Sequence, residues 1–204
     1  MEKDVLINAI NCIIGNTFNV LKKVYSIQKE GQESQFGDFK QSGSRLVFPH
    51  YSTIYRGGET RISEQELRFV FVEQFNKYCE ENSIKWYYSV ETPTEHKYSF
   101  TDKNNPQQDE NGQSAMVDLA IHDENFKRIA LIEFKALNPE EFCYKKDFCK
   151  LSGEGNNDKS LSTFFVQILK SSNKDTEKSI RKKISSKSED TLFRCFVLDN
   201  GKEL

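Results

Sequence analysis

The charged pair Glu133 and Lys135 lies inside an apolar run and constrains this chain more than any other sequence feature. The run Arg128–Ala136 reads Arg-Ile-Ala-Leu-Ile-Glu-Phe-Lys-Ala, which predicts a strand that enters a hydrophobic core. Removing a carboxylate or an ammonium group from water is costly unless a partner compensates its charge. Residues two apart on a strand point to the same face of the sheet. The pair therefore predicts a site on that face that favours opposite charges side by side, as a metal ion and a phosphate would.

A second apolar run, Ala115–Ile121, carries a single carboxylate, that of Asp118. The polar segment Asp123–Lys127 separates the two runs and predicts a hairpin loop. A symmetric hairpin places Asp118 directly opposite Glu133. The β-carbons of such a cross-strand pair lie about 5 Å apart, a separation that suits two ligands of one cation.

The register of this hairpin is favoured by its apolar residues. The symmetric register pairs Val117 with Phe134, Leu119 with Ile132, and Ile121 with Ala130. These six residues then share the opposite face of the sheet, which is apolar throughout. A slip of one residue would mix polar and apolar side chains on each face, so the pattern favours two carboxylates that face each other across the hairpin.

A third carboxylate is predicted on an upstream helix. The segment Arg61–Cys79 has apolar residues at helical spacing, and Ser63 with Glu66 forms a capping-box pattern. Glu66 could bond back to the start of the helix, bind a metal ion, or do both, since these roles do not exclude each other. Glu64 and Glu73 are weaker alternatives, because each is expected on the solvated surface of the helix.

A helix that bears Glu66, followed by strands that carry Asp118 and Glu133-x-Lys135 on one face, resembles the PD-(D/E)XK nuclease superfamily, the restriction-endonuclease-like fold. The resemblance covers residues 61–198, about two-thirds of the chain. Valine precedes Asp118 where the nominal family motif has proline. The predicted order of helix, strand, hairpin, helix and strand strengthens the resemblance.

The remaining segments fit an α/β fold with a mixed central sheet flanked by helices and an N-terminal helical extension. The predicted strands are Ile84–Glu91, which Glu95–Phe100 continues or pairs with, then Thr163–Leu169 and Leu192–Leu198. Pro139 is expected to open a helix with Lys150 on its wetter side, and another helix is predicted from about Asp175 to Ser186. The predicted loops are Thr101–Ser114 and Ser152–Asp158.

The chain is expected to divide into an N-terminal part, residues 1–60, and a nuclease-like core, residues 61–204. Apolar residues at helical spacing predict an amphipathic helix over Val5–Tyr25, which packs on the core or on a second copy of the chain. Its asparagines make it too polar for a membrane span. Gln32–Gly58 is interpreted as an extended connector in which Arg56 could contact phosphate, although a plain turn is the simpler interpretation.

Composition and charge limit which metal sites, cellular location and partners are expected. The five cysteines are scattered, with no Cys-x-x-Cys pair, so neither a structural zinc site nor a disulfide framework is supported. No signal-peptide pattern is found, and the cytoplasm is the expected location. The net charge of −2 gives no global basic signature. A local basic cluster does occur, in which Lys178, Arg181 and Lys182 could contact a nucleic-acid backbone or simply form a solvated helix surface.

The family resemblance implies a metal-dependent nuclease that hydrolyses phosphodiester bonds, with DNA as the expected substrate. Asp118 and Glu133 would hold one Mg²⁺, for which Mn²⁺ could substitute, with the backbone carbonyl of Phe134 as a further ligand. Glu66 would be bridged to the ion directly or through water. Lys135 would orient or help deprotonate the attacking water and offset charge at phosphorus. A homodimer is also expected, because cutting both strands of a duplex needs two active sites.

Two alternatives remain open at the level of sequence. One is a catalytically degenerate member of the same fold that binds nucleic acid or a protein without cutting. The other is an unrelated α/β domain in which Glu133 and Lys135 form a structural ion pair. Asp118 discriminates between an ion pair and a metal site, because an ion pair needs no second carboxylate across the hairpin. Two facing carboxylates without a cation would repel each other.

Overall fold

A computed structural model describes residues 2–30, 42–52, 54, 58–185 and 187–204. The helices are α1 (Lys3–Glu30), α2 (Glu64–Glu81), α3 (Glu141–Asn157) and α4 (Lys174–Ile184). The strands are β1 (Tyr87–Ser99), β2 (Gln107–Gln108), β3 (Gln113–His122), β4 (Arg128–Ala136), β5 (Ser162–Leu169) and β6 (Thr191–Val197). The protein has an α/β fold with a mixed, open, six-stranded sheet flanked by helices, which confirms the predicted fold class at this level.

The sheet has the strand order β2-β1-β3-β4-β5-β6. Strands β1, β3 and β4 are antiparallel neighbours, whereas β4, β5 and β6 run parallel. Parallel neighbours cannot be joined by a tight turn, and helices α3 and α4 make the two crossovers. Strand β5 lies between two parallel neighbours and is buried along its whole length, as its apolar sequence predicts.

The predicted register of the β3–β4 hairpin is formed at its centre, where Leu119 pairs with Ile132 and Ile121 with Ala130. The ladder of paired residues ends at Leu119, and the predicted pairing of Val117 with Phe134 does not form. Phe134 packs in the core beneath α1 and α2, whereas Val117 packs on the opposite face beneath α3. Because the ladder ends there, the side chain of Asp118 can reach the backbone of β4.

Helix α1 packs on the core, one of the two predicted positions for it. Its apolar side chains join those of α2 and of one sheet face in the largest apolar cluster, in which Ile10, Ile13 and Leu21 are fully buried. By length and composition alone α1 could cross a membrane, yet half of its most apolar window is buried inside the protein. Burial of this helix against the sheet accounts for its apolar stripe.

Helix α3 extends through a segment that the sequence predicts as a loop. The predicted loop Ser152–Asp158 is wrong, because the helix continues to Asn157. A β-carbon at Gly153 would lie 2.4 Å from the hydroxyl oxygen of Tyr98, and one at Gly155 would lie 3.3 Å from Thr163. These glycines therefore allow α3 to approach β1 and β5 closely, and they do not end the helix.

The loops and the strand boundaries also differ from the predicted ones. The predicted loop Thr101–Ser114 is interrupted by the short strand β2, and β3 already begins at Gln113. Strand β1 runs from Tyr87 to Ser99, so Glu95–Phe100 continues the first predicted strand, which was one of the two predicted arrangements, with an irregular register between Pro93 and Lys97. Only part of the predicted connector is described, and Arg56 lies outside the described residues.

Candidate active site

Glu133 and Lys135 share one face of β4, as predicted, and each pairs with a residue of helix α3. The Glu133 side chain is almost fully buried, and its Oε1 lies 2.5 Å from the Lys150 Nζ. The Lys135 Nζ lies 2.7 Å from Asp147 Oδ2. The strand therefore supplies one charge of each pair and the helix supplies the other.

Lys150 lies at the centre of this arrangement. Besides Glu133, its Nζ contacts Asp147 Oδ1 at 2.8 Å and donates a hydrogen bond to the carbonyl oxygen of Met116 at 2.9 Å. The prediction that Lys150 faces the wetter side of its helix is wrong, since its side chain is only 5% exposed. Two carboxylates and a carbonyl replace its lost hydration, which makes burial of the ammonium tolerable.

Asp147 bridges the two lysines, and sequence reasoning missed it. Burial opposes ionisation of this carboxyl, but Lys150 and then Lys135 outweigh burial and hold its pKa below the usual range. Burial likewise opposes the charge of both lysines, yet the neighbouring carboxylates raise the pKa of each above its usual value. Asp147 and the two lysines therefore remain charged at neutral pH. The spacing Asp147-x-x-Lys150 on the helix that follows Glu133-x-Lys135 was the available sequence signal.

Among the four charged residues Glu133, Lys135, Asp147 and Lys150, Glu133 is the one whose charge is least compensated by its neighbours. Burial raises its pKa well above the usual range, Asp147 adds to the shift, and Lys150 opposes it. Glu133 Oε1 and Asp147 Oδ2 lie within ion-pair distance of an ammonium group, but neither accepts a hydrogen bond of good geometry from a described residue. Both buried oxygens thus retain acceptor capacity.

Asp118 reaches the same end of the hairpin from β3. Its Oδ2 accepts a hydrogen bond from the backbone N–H of Phe134 at 2.7 Å. That N–H lies just beyond the last ladder pair, so the carboxylate takes the place of a backbone acceptor. Its charge adds to the raised pKa of Glu133, the residue that precedes Phe134 in the chain. The structure thus brings together Asp118, Glu133 and Lys135, the three strand residues that the sequence predicts for the site.

Helix α2 contributes Glu64, and Glu66 has a different set of contacts. Glu66 Oε2 accepts a hydrogen bond from the backbone N–H of Ser63 at 2.7 Å, which forms the predicted capping box. Glu64 Oε1 lies 3.4 Å from the Lys135 Nζ. Burial raises the pKa of Glu64, Lys135 opposes this shift, and Asp118 adds to it. Of the candidate residues on α2, Glu64 is therefore the one that lies beside the predicted strand residues.

The three basic residues that the sequence singles out are carried by helix α4, and all three are exposed: Lys178, Arg181 and Lys182. This helix lies beside the segment that follows β4. Lys183 Nζ donates a hydrogen bond to Asn138 Oδ1 at 2.7 Å, and Asn138 Nδ2 donates one to Ser179 Oγ at 3.4 Å. The basic surface of α4 is thus anchored close to the end of the strand that carries Lys135.

No protein-family model, curated protein or solved structure matches this chain. Four carboxyl groups and two ammonium groups meet here, so the acidic groups outnumber the basic ones by two: Glu64, Asp118, Glu133 and Asp147 against Lys135 and Lys150. A divalent cation would neutralise that excess.

The donor atoms fit a hydrated hard cation better than a closed metal cage. Within the described ranges, no three His, Cys, Asp or Glu side chains are grouped closely enough to hold a metal ion. Mg²⁺ binds oxygen and usually keeps several waters, so one or two carboxylates are sufficient for it. Asp118 and Glu133 are the two carboxylates that the sequence predicts for this role.

Proposed function

We propose that this protein is a metal-dependent nuclease that hydrolyses phosphodiester bonds in DNA, built on a restriction-endonuclease-like core. The observation that carries the proposal is the meeting of Asp118, Glu133 and Lys135 at one end of the β3–β4 hairpin, where carboxyl groups outnumber ammonium groups. The order of α2, β1, the β3–β4 hairpin, α3 and β5 supports the restriction-endonuclease-like assignment.

Asp118 and Glu133 would hold Mg²⁺, or Mn²⁺ in its place, together with the carbonyl oxygen of Phe134. Glu64 would contribute directly or through water, in the role predicted for Glu66. When bound, the ion would supply Lewis-acid chemistry, polarising the scissile phosphate and lowering the pKa of a water molecule.

The surroundings of Lys135 define its part in the proposed reaction. Its raised pKa means that it retains its proton at neutral pH, which favours a cationic role over that of a general base. Asp147 fixes the ammonium group at 2.7 Å, so little reorganisation is needed when negative charge develops on the phosphate. Lys150 offsets part of the charge of Glu133.

Metal-dependent thermal unfolding tests the site without a choice of substrate. We expect millimolar Mn²⁺ to raise the unfolding midpoint of the wild type, because a ligand at about 100 times its Kd stabilises the folded state by about 2.7 kcal/mol. Asp118→Asn and Glu133→Gln should lose this shift. Asp190→Asn, a matched control at an exposed carboxylate that pairs with Lys159 far from the site, should keep it.

Cleavage of supercoiled plasmid and of single-stranded oligonucleotides then tests the reaction itself. Asp118→Asn, Glu133→Gln and Lys135→Ala should each abolish cleavage, whereas only the first two should lose the metal-induced shift. Retained cleavage in Asp118→Asn would refute the proposed site. A chelator should abolish cleavage by the wild type.

A second candidate function is favoured by the ion-pair chain that runs from Glu133 through Lys150 and Asp147 to Lys135. Such a chain could be purely structural in a member of the fold that binds nucleic acid without cutting it. The same experiments separate the two functions. A protein that binds DNA, shows no metal-induced shift and leaves both substrates intact is the non-cutting form.

A further inference from the structure

Strand β1 has an open edge over most of its length. Its inner edge pairs with β3, but on its outer edge the short strand β2 pairs only with Tyr98 and Ser99. The outer edge of Tyr87–Pro93 is paired with no residue in the described part of the chain. Such an edge presents free backbone N–H and C=O groups, which can template another strand.

Exposed apolar side chains concentrate at the same place. Ten large apolar residues are exposed in the described part of the chain, and five of them lie on this part of β1 or beside it: Tyr87, Tyr88, Val90, Met116 and Phe126. Two of their rings, those of Tyr87 and Phe126, contact each other at 5.0 Å between centroids. An open strand edge combined with an apolar patch is typical of a protein–protein interface.

The charges along the edge indicate which partner fits it. We propose that a second copy of this chain docks here, with the two β1 strands antiparallel about a two-fold axis through Tyr88. This register places Lys85 of each copy opposite Glu91 of the other, Trp86 opposite Val90, Tyr87 opposite Ser89, and Tyr88 opposite itself. The edge is thus self-complementary in both charge and apolarity, as an isologous interface requires.

Other registers lose this complementarity. A shift of one or two residues places Lys85 opposite Ser89, Val90, Thr92 or Pro93, none of which is charged. Glu91 already binds Arg68 through Oε1 at 2.5 Å, and its second oxygen can accept the ammonium of Lys85. The left-handed backbone of Glu91, with φ of 46°, ends the regular edge after Val90. The paired region is therefore short, and the dimer is reversible and concentration-dependent.

Sedimentation equilibrium with two matched valine variants tests the interface. Val90 is 51% exposed on the edge and Val47 is 55% exposed elsewhere, so neither substitution disturbs a buried side chain. The wild type and Val47→Lys should dimerise alike, and Val90→Lys should raise the dissociation constant about tenfold or more. A wild type that remains monomeric at its solubility limit overturns the proposal, as does equal dimerisation of the two variants.

Charge reversal tests the register separately. Lys85→Glu should weaken the dimer by bringing two carboxylates together, and the added change Glu91→Lys should restore it by recreating two opposite pairs. If Lys85→Glu dimerises as the wild type does, the Tyr88-centred register is wrong. This inference does not rest on nuclease activity, and the metal-induced shift of the unfolding midpoint should be the same in all of these variants.

Discussion

At the scale of single residues, the site depends on how buried charges are distributed between strand and helix. Asp147 and Lys150 of α3 are almost fully buried, as Glu133 is, and together they convert an unfavourable lone carboxylate into part of an ion-pair chain. Breaking a buried ion pair by removing one partner costs about 3–5 kcal/mol, because the other charge is left without compensation. Removal of both partners is far less costly, since no lone charge remains.

This asymmetry predicts the behaviour of Lys150 variants. Lys150→Met leaves Glu133 and Asp147 buried with Lys135 as their nearby cation, and we expect it to lower the free energy of unfolding by about 3–5 kcal/mol. The double variant Glu133→Gln with Lys150→Met should recover most of that loss. Urea unfolding of the two single variants and the double variant measures the coupling. A Lys150→Met protein as stable as the wild type would show that the pair contributes little.

At the scale of elements, the sequence predicted the strands better than the ends of the helices. Alternation of apolar residues was sufficient to predict the centre of the β3–β4 register, because only one register keeps the buried face apolar. Local sequence places Gly153 and Gly155 in a loop, since a glycine lowers helix stability by about 1 kcal/mol relative to alanine. In the structure these two positions are glycines because Tyr98 and Thr163 approach the helix closely there. Both residues are distant in sequence, so this approach cannot be predicted from the local sequence.

This reason for glycine in α3 can be tested directly. Gly153→Ala adds a β-carbon 2.4 Å from the hydroxyl of Tyr98, a side chain that is almost fully buried and hydrogen-bonded to Glu154. We expect a net loss of about 1–3 kcal/mol in the free energy of unfolding, despite the gain in helix propensity. Thermal or urea unfolding measures this loss.

Gly15→Ala in α1 is the matched control for that substitution. Apart from the backbone of its own helix, no atom of the described residues lies within 4 Å of its new β-carbon, so the gain in helix propensity is not opposed by a clash. It should stabilise the protein by up to about 1 kcal/mol. Similar effects of the two substitutions on the free energy of unfolding would disprove the packing argument.

At the scale of the whole molecule, long-range packing decides which helix residues reach the site. Glu64 and Glu66 are two positions apart in the first turn of α2, and only the orientation of that helix against the sheet brings Glu64 to Lys135. The prediction for Lys150 is wrong for the same reason, since local spacing groups it with exposed lysines. The strand residues of the site were predictable because a sheet has only two faces, whereas the contribution of a helix depends on how it packs.

The basic cluster on helix α4 leads to a prediction about DNA affinity. Lys178, Arg181 and Lys182 form a basic surface beside the segment that follows the site strand. If this surface contacts the DNA backbone, reversing all three charges to Glu should weaken binding. The slope of log K against log salt should also become shallower by about 0.9 for each phosphate that the protein no longer neutralises.

A matched triple reversal separates this local effect from the change in net charge. Lys23, Lys77 and Lys97 lie on the surface of α1, α2 and β1, and their reversal alters the net charge by the same amount. The control should lower affinity modestly through long-range repulsion and leave the salt slope nearly unchanged, since bound lysines displace counterions only from the phosphates that they neutralise. Titration of a fluorescent DNA duplex at several salt concentrations measures both quantities. If the slope of log K against log salt is the same for the two triple variants, α4 does not contact the bound DNA. The nucleic acid would then approach the site from another side.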